Sequence, residues 1–397
     1  MSISTEPQKR TSDRLPLLVF VLAAGTFLMG TTEFVVAGIL PEIASDLGIT
    51  VSHAALMITV FAVGMIVGTP LMAVLTLRLP RRVTLSLSLL IFAVGHVIVA
   101  VSTSFPVILG ARFVTALATG AFWAVAAVVG AQAAGPQAAS RALGIVLGGG
   151  MLANVLGVPL GAFTGQAVGW RGPFWVLAVI AAVGAAVVFR SVGADTDPTS
   201  TPSLRTEFAA LKDTRVWLAL AGCAIVCASS LSVYSFIAPI VTENTGLPSS
   251  AVPALLVVYG LGALAGSYLG GRIGAEHPYR VLFVSSSMTF AVLVGLLFLS
   301  NFAIPTVILI AMLGLFGMST NPVLIGKVVG FASAAPTLAS ALSTSAFNAG
   351  TAAGSAIAGV ALASSLGPTG PIVVGAAAAS LYLLPLALLR LRDRTQQ

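Results

Sequence analysis

Apolar stretches follow one another along this chain with little polar sequence between them. Twelve can be marked, at 15–40, 52–77, 83–101, 105–129, 141–165, 173–191, 216–241, 250–271, 281–300, 304–327, 337–364 and 370–390. A hydrocarbon core about 30 Å thick takes about 20 helical residues, so each stretch has the length of a transmembrane helix. The pattern predicts an all-α polytopic membrane protein with twelve spans. One internal connection alone is long and polar: Gly193 to Thr214, with Pro198, Pro202, Asp195, Asp197, Glu207 and Lys212. That is linker composition, and it separates six spans from six. The expected organisation is a tail at 1–14, a six-helix bundle at 15–192, a linker at 193–214, a second bundle at 215–391 and a tail at 392–397.

Charge gives the spans a direction. With the N-terminus inside, the even-numbered loops, both tails and their flanks hold 17 of the 19 basic residues, among them Lys9, Arg10, Arg14, Arg78, Arg81, Arg82, Arg141, Arg190, Arg215, Lys327 and Arg390. The outward loops carry Glu42, Asp46 and Glu243, with Arg171 their one basic residue. Excess Lys and Arg marks cytoplasmic loops, so both termini are expected in the cytoplasm and the protein in the plasma (inner) membrane. Lys9, Arg10 and Arg14 before an apolar run imitate a signal peptide, but the run from Leu15 to Leu40 is too long for one and carries Glu33; it reads as a retained first span.

The halves repeat. At an offset of 198 residues Pro41 matches Pro239, Gly48 matches Gly246, Ser52 matches Ser250, Gly64 and Gly68 match Gly262 and Gly266, and Arg82 matches Arg280. A duplicated six-span unit with a cytoplasmic linker predicts two pseudo-symmetric bundles that rock about a site near the midplane, a transporter rather than a channel.

Composition closes off other classes. Of 397 residues, 57% are hydrophobic and 8% charged, and mean hydropathy is +1.05; soluble domains run nearer about 25% charged. The net charge of +7 therefore points to the bilayer surface and not to nucleic acid. No G-x-x-x-x-G-K-[ST], G-x-S-x-G or H-E-x-x-H is present, so neither a P-loop ATPase nor a hydrolase or zinc enzyme is expected, and no cofactor or metal. Gly260-Leu261-Gly262 with Ala265 imitates a dinucleotide fingerprint but lies inside an apolar span, where helix packing explains it. Cys223 and Cys227 are four apart in one helix, poor disulfide geometry, and read as packing residues.

The chemistry left is ion movement and binding. Glu33 is the one acidic residue deep in a span, where burial costs a few kcal/mol and raises a presumption of function. It lies seven residues, about 10 Å, below the outer end of span 1, and Arg112 lies seven residues below the outer end of span 4. The opposite charges share a membrane level. They read either as a proton-coupling pair, which protonation of Glu33 would break, or as a static ion pair. His96, five residues below the outer end of span 3, is either a proton relay or a packing histidine. Asn154 and Asn348, in equivalent spans 5 and 11, either bind substrate or hold helices together. Phe122, Trp123, Tyr234, Phe236, Tyr259 and Phe347 are candidates for an aromatic cavity wall.

These residues resemble the major facilitator superfamily, and within it the twelve-span drug:proton antiporters, over nearly the whole chain. Leu77-Arg78-Leu79-Pro80-Arg81-Arg82 resembles the family's loop motif after span 2, with Leu77 where the family has Asp and Pro80 where it has Gly. Arg112 followed by Gly120 is similar to the span 4 motif whose Arg is linked to proton transfer. Gly157-Val158-Pro159-Leu160-Gly161 looks like the antiporter motif of span 5, and Gly169-Trp170-Arg171 fits the same group. Gly30-Thr31-Thr32-Glu33-Phe34 and Phe122-Trp123-Ala124-Val125 are most similar to the chloramphenicol-efflux branch, whose pattern sugar- and nucleoside-efflux relatives largely share. The resemblance implies a monomeric exporter of a small, neutral, moderately apolar, drug-like compound, driven by proton exchange. In it Glu33 would carry the proton, Arg112 would tune it, and Arg78, Arg81, Arg82, Gly157, Pro159 and Gly161 would serve conformational change; His96 keeps its two readings, relay or packing. The alternative is a proton-coupled sugar or nucleoside exporter.

Overall fold

The computed structural model describes residues 15–75, 79–135, 137–193, 213–333 and 335–394. The tail 1–14, Leu77 and Arg78 of the loop motif, and all of the linker between Gly193 and Asp213 lie outside the described residues. Among those described, twelve long helices carry the fold: α1 (Leu17–Phe34), α2 (Leu56–Leu75), α3 (Arg81–Val101), α4 (Phe105–Ala134), α5 (Ala139–Leu152, continued by Val158–Val168), α6 (Gly172–Ser191), α7 (Thr214–Tyr234), α8 (Val252–Glu276), α9 (Pro278–Leu299), α10 (Ala303–Ser319, continued by Asn321–Phe331), α11 (Pro336–Leu362) and α12 (Gly370–Arg394). Among the described residues there is no strand.

Eleven of these elements are long and apolar enough to cross a membrane. The twelfth, α11, has the length, 27 residues, but is interrupted by Ser343, Thr344, Ser345, Asn348, Thr351 and Ser355. Its position explains its polarity. It packs between α7, α2 and α12, and Ser343, Asn348, Thr351 and Ser355 are each less than 5% exposed. A helix shielded from lipid by protein can carry hydroxyls that bond its own carbonyls, as Ser343 Oγ does to Ala339 O at 2.8 Å.

Helix pairing repeats between the halves. α1 packs on α5 as α7 packs on α11; α2 pairs with α4 as α8 does with α10, and α3 with α6 as α9 with α12. The glycines of the sequence repeat make the same close approaches in each half. A Cβ on Gly64 would lie 2.6 Å from Ala116 Cβ on α4, and one on Gly262 would lie 2.3 Å from Ala311 O on α10. Gly48 and Gly246 both turn the chain with left-handed backbone, at φ +62° and +73°, a conformation that glycine adopts without steric cost.

α1 and α7 are shorter than the apolar pattern predicts. α1 ends at Phe34, where φ reaches −119°, and passes through the 3₁₀ turn Val35–Gly38 into a short helix, Leu40–Leu47. α7 ends at Tyr234 and gives way to Ile237–Pro239 and a π-helical turn, Ile240–Asn244. These apolar residues stay buried against protein, so hydropathy continues although the helix does not.

Three main cores result. One lies wholly within the first half, from Val19 to Val192, and one wholly within the second, from Val216 to Leu389. The third draws on both halves at the end that carries Asp46 and Glu243, around Val36, Ile39, Phe236, Ile240 and Leu256. Two crossings continue that seam. On one, Thr59 Oγ1 of α2 lies 2.9 Å from Ser355 Oγ of α11, and Ser345 Oγ donates to Ile66 O at 2.9 Å. On the other, Gln166 of α5 donates to Ser249 O at 2.8 Å, and Gly260 of α8 meets the backbone of Asn154 and Val155. At the opposite end the halves keep separate cores, and the second half has its own polar clasp. There Asp393 of α12 accepts from Lys327 at 2.7 Å and Tyr279 at 2.6 Å, and Asp213 caps α7 through Arg215 N at 2.8 Å. The guanidinium of Arg215 holds the Asp213 carboxyl below the usual carboxylate range.

Candidate functional site

Glu33 occupies the last turn of α1, one residue before the helix breaks. Although deep in the bundle it keeps part of its surface accessible. Arg112 of α4 lies within its electrostatic reach, as do Cys227 and Tyr234 of α7 from the other half. Glu33 therefore stands at the seam rather than inside one bundle.

Arg112 is fully buried. Its Nη1 donates to Thr32 Oγ1 at 2.8 Å, its Nε points to Met57 O at 3.4 Å, and its guanidinium lies 4.3 Å from the ring centroid of Phe61. Its Nη2 has no partner. Among the described residues no carboxylate pairs with it, so the charge pair expected from membrane level is not closed in this conformation. Its counter-charge, Glu33, lies within electrostatic reach but makes no ion-pair contact, so a hydroxyl, a carbonyl and a ring do the holding and the desolvation is only partly offset.

His96 of α3 is 1% exposed. Its Nε2 lies 2.7 Å from Thr32 Oγ1 and its Nδ1 2.7 Å from Phe92 O. Thr32 thus bridges the histidine and the arginine. In the sequence Thr32 stands out only as part of the Gly30-Thr31-Thr32-Glu33-Phe34 motif; its neighbour Glu33 is the one signal that could single it out.

α5 supplies the surface behind α1. Pro159 has no N–H to give to the preceding turn, and the helix takes the π-helical turn Ala153–Gly157 just before it. A Cβ on Gly157 would lie 1.9 Å from Thr31 Oγ1, and one on Gly161 would lie 2.3 Å from Val35 Cγ2. The glycines let α5 approach α1 at the turn that carries Glu33.

The expected aromatic wall divides. Trp123 and Phe347 are half-buried, and the indole Nε1 of Trp123 has no partner. Phe122 is instead lodged inside the first half, where a Cβ on Gly25 would meet its Cζ at 2.2 Å. Tyr234, Phe236 and Tyr259 are at most 3% exposed, within the core shared by both halves. Tyr234 packs on Phe34 at 5.7 Å and on Tyr259 at 4.4 Å between ring centroids, so these rings close the seam here instead of lining open space. Asn154 is half-buried in the π turn, whereas Asn348 is 4% exposed, with Nδ2 on Thr344 O at 3.0 Å and Oδ1 unpartnered. Arg82 stacks 3.7 Å from the ring of Phe189 and Arg81 donates to Gln132. At the other end Arg171 pairs with Asp46, which lowers the Asp46 pKa.

Two six-helix units with matching internal pairing and a buried arginine inside the first of them set the frame for the comparisons. The model of the Major Facilitator Superfamily matches residues 22–234 and 220–397. The chain belongs to this superfamily. It is 38% identical over 361 residues to the chloramphenicol resistance protein of Streptomyces lividans, covering 90% of this chain and 92% of that one. It is 31% identical to the inner membrane transport protein YdhP of Escherichia coli K12, over 93% and 94% of the two chains. Among solved structures it is similar to a bacterial homologue of the human lysosomal transporter Spinster in an inward-facing, unoccupied conformation, with TM-score 0.74, 16% identity and 96% of this chain and 97% of that one covered. A major facilitator chain is a multi-pass membrane transporter. In this member the helices that meet across the seam are α2 with α11 and α5 with α8.

Proposed function

We infer that this transporter exports a small, neutral, moderately apolar compound of chloramphenicol-like character in exchange for protons, with Glu33 as the proton carrier and Arg112 as the charge that tunes it. The observation that carries the reading is a buried guanidinium that makes no ion-pair contact, within electrostatic reach of a partly accessible Glu33. A fixed cation near a carboxyl that can gain and lose its proton makes the local charge balance a function of proton occupancy. The 38% identical chloramphenicol resistance protein supports the substrate class. A sugar or nucleoside exporter remains the alternative; the half-buried Trp123 and Phe347 suit an apolar, aromatic solute better. Proteoliposomes holding a pH gradient test it. Chloramphenicol should dissipate the gradient and accumulate against its own; dissipation by sugars or nucleosides alone would overturn the substrate class.

The charge distribution supports cytoplasmic termini and a cytoplasmic linker between the two bundles. The joined end is then the outer one, and the conformation is closed to the outside. On that reading, protease should cut between Gly193 and Thr214 in inside-out vesicles before any other internal loop. Cleavage there from outside intact cells would reverse the topology.

A further inference from the structure

Thr32 is the residue through which two buried ionisable side chains meet. Donor and acceptor rules fix two of the bonds around it, and a neutral imidazole fixes the third. A carbonyl oxygen only accepts, so the contact of 2.7 Å with Phe92 O requires hydrogen on His96 Nδ1. A guanidinium only donates, so Thr32 Oγ1 accepts from Arg112 Nη1 at 2.8 Å. In the neutral imidazole Nε2 is then an acceptor, and at 2.7 Å it takes the hydroxyl hydrogen of Thr32. With the imidazole neutral, one proton arrangement satisfies the whole chain from Phe92 through His96 and Thr32 to Arg112. The imidazole is also held in place: it stacks on Phe92 at 3.9 Å with 25° between planes, and Phe174 lies 5.8 Å away.

A ring with both nitrogens committed and almost no access to water suits holding better than carrying. We propose that His96 and Thr32 are positioning residues: neutral His96 accepts the Thr32 hydroxyl hydrogen, this aims an Oγ1 lone pair at Arg112, and the guanidinium is thereby fixed relative to Glu33. The proposal rests on Glu33 and Arg112 being the coupling pair. With Nη1 on Thr32 and Nε turned to Met57 O, Nη2 is the nitrogen left over, and Glu33 is the carboxyl within electrostatic reach. The other titratable groups near Glu33 are Cys227 and Tyr234 of α7, with Tyr259 of α8 behind them.

The sequence repeat supports a dedicated device. At the offset of 198 residues, Thr32, His96 and Arg112 correspond to Ser230, Val294 and Ile310. The second half keeps the hydroxyl and has neither the imidazole nor the guanidinium, and Ser230 Oγ is buried without a partner. The bridge is therefore not a requirement of packing this helix position.

Full-length Thr32→Val, Thr32→Ser and His96→Phe proteins decide the matter, with chloramphenicol as the probe. Val keeps the shape of Thr without its hydroxyl, Ser keeps the hydroxyl, and Phe keeps the stack on Phe92 without an acceptor. All three should melt within a few degrees of the parent protein, and chloramphenicol binding in detergent should stay within about threefold. Thr32→Val and His96→Phe free the guanidinium to move onto Glu33, which favours the charged carboxyl. The pH midpoint of gradient-driven transport should shift toward acid by about one unit, a tenfold change in proton affinity, and Thr32→Ser should restore it. A folded Thr32→Val with the parental midpoint would overturn the proposal, as would a His96→Phe that abolishes coupling while Thr32→Val does not. The ¹⁵N spectrum of His96 gives a readout free of transport: it should show the Nδ1–H tautomer at transport pH, and a doubly protonated ring there would also overturn it. Glu33→Gln measured in parallel keeps the two readings apart, because uphill pumping by that variant counts against the coupling role of Glu33 and leaves the tautomer result standing.

Discussion

Glu33→Gln should bind substrate and fail to pump it. The amide has nearly the shape of the carboxyl and stands in for its neutral form, so the last turn of α1 and its packing against α5 at Gly157 and Gly161 are undisturbed. What disappears is the change of charge opposite Arg112. On the proposed mechanism, gain or loss of the Glu33 proton decides whether the buried guanidinium has a charged partner within reach. The two conformations would then differ in proton affinity, the requirement for a ligand to shift a conformational equilibrium. With an amide in place of the carboxyl the difference is gone. Affinity should change modestly and no longer vary between about pH 5 and 8, the range in which physiological proton switches work. Uphill export should be lost, while substrate exchange down its own gradient continues. Arg112→Ala should also impair export, and slow downhill exchange as well, because it leaves Thr32 and the Met57 carbonyl without the donor they now meet. Parental uphill accumulation by Glu33→Gln would make Glu33 structural and send the proton elsewhere.

How much of this was legible depended on which physical constraint each feature obeyed. Span number and the repeat of the halves were readable because a helix facing lipid must be apolar, and because duplication left glycines such as Gly48 and Gly246 at matching positions, which the structure gives the same backbone sign. α11 was legible by length even though its burial spared it from being uniformly apolar. Glu33 and Arg112 stood out because charges inside spans are rare. Their partners did not: a threonine in a membrane helix carries no signal of its own, and whether Thr32 faces α3, α4 or lipid depends on helix rotation. The adjacent rings Phe122 and Trp123 show the same limit. They point to different surroundings, one sealed against Gly25 and the other with an unpartnered indole N–H, and nothing in their order along the chain distinguishes them. Hydropathy also ran straight through the ends of α1 and α7, since protein burial and lipid exposure select the same residues.

The crossing of α5 and α8 should be the most sensitive point in the conformational cycle. A Cβ on Gly260 would lie 2.6 Å from Asn154 O and 2.8 Å from Val155 Cα. Both are backbone atoms of the facing half, and no side chain can swing aside to make room. At the equivalent place in the first half stands Ala62, on the helix α2 that carries Thr59 and Ile66 toward α11, so the α5–α8 crossing is the one built without a Cβ. Gly260→Ala should therefore pry the halves apart at this seam while leaving each bundle intact. Overpacking of this kind costs about 1–3 kcal/mol, a shift of about 5- to 150-fold against the joined conformer. Gly266→Ala is the contrasting control. Its Cβ would lie 1.9 Å from Leu315 O within the second half, so it should lower the melting temperature whichever way the transporter faces. Spin labels at the exposed Ser45 and Glu243 read the distance between halves at the joined end. The parent should give one short distance; Gly260→Ala should add a longer population, and export should fall with it, because a carrier that cannot return to the joined state cannot complete its cycle. An unchanged distance distribution with parental export would mean that the π turn of α5 absorbs the extra methyl, and that closure is set by the α2–α11 crossing instead.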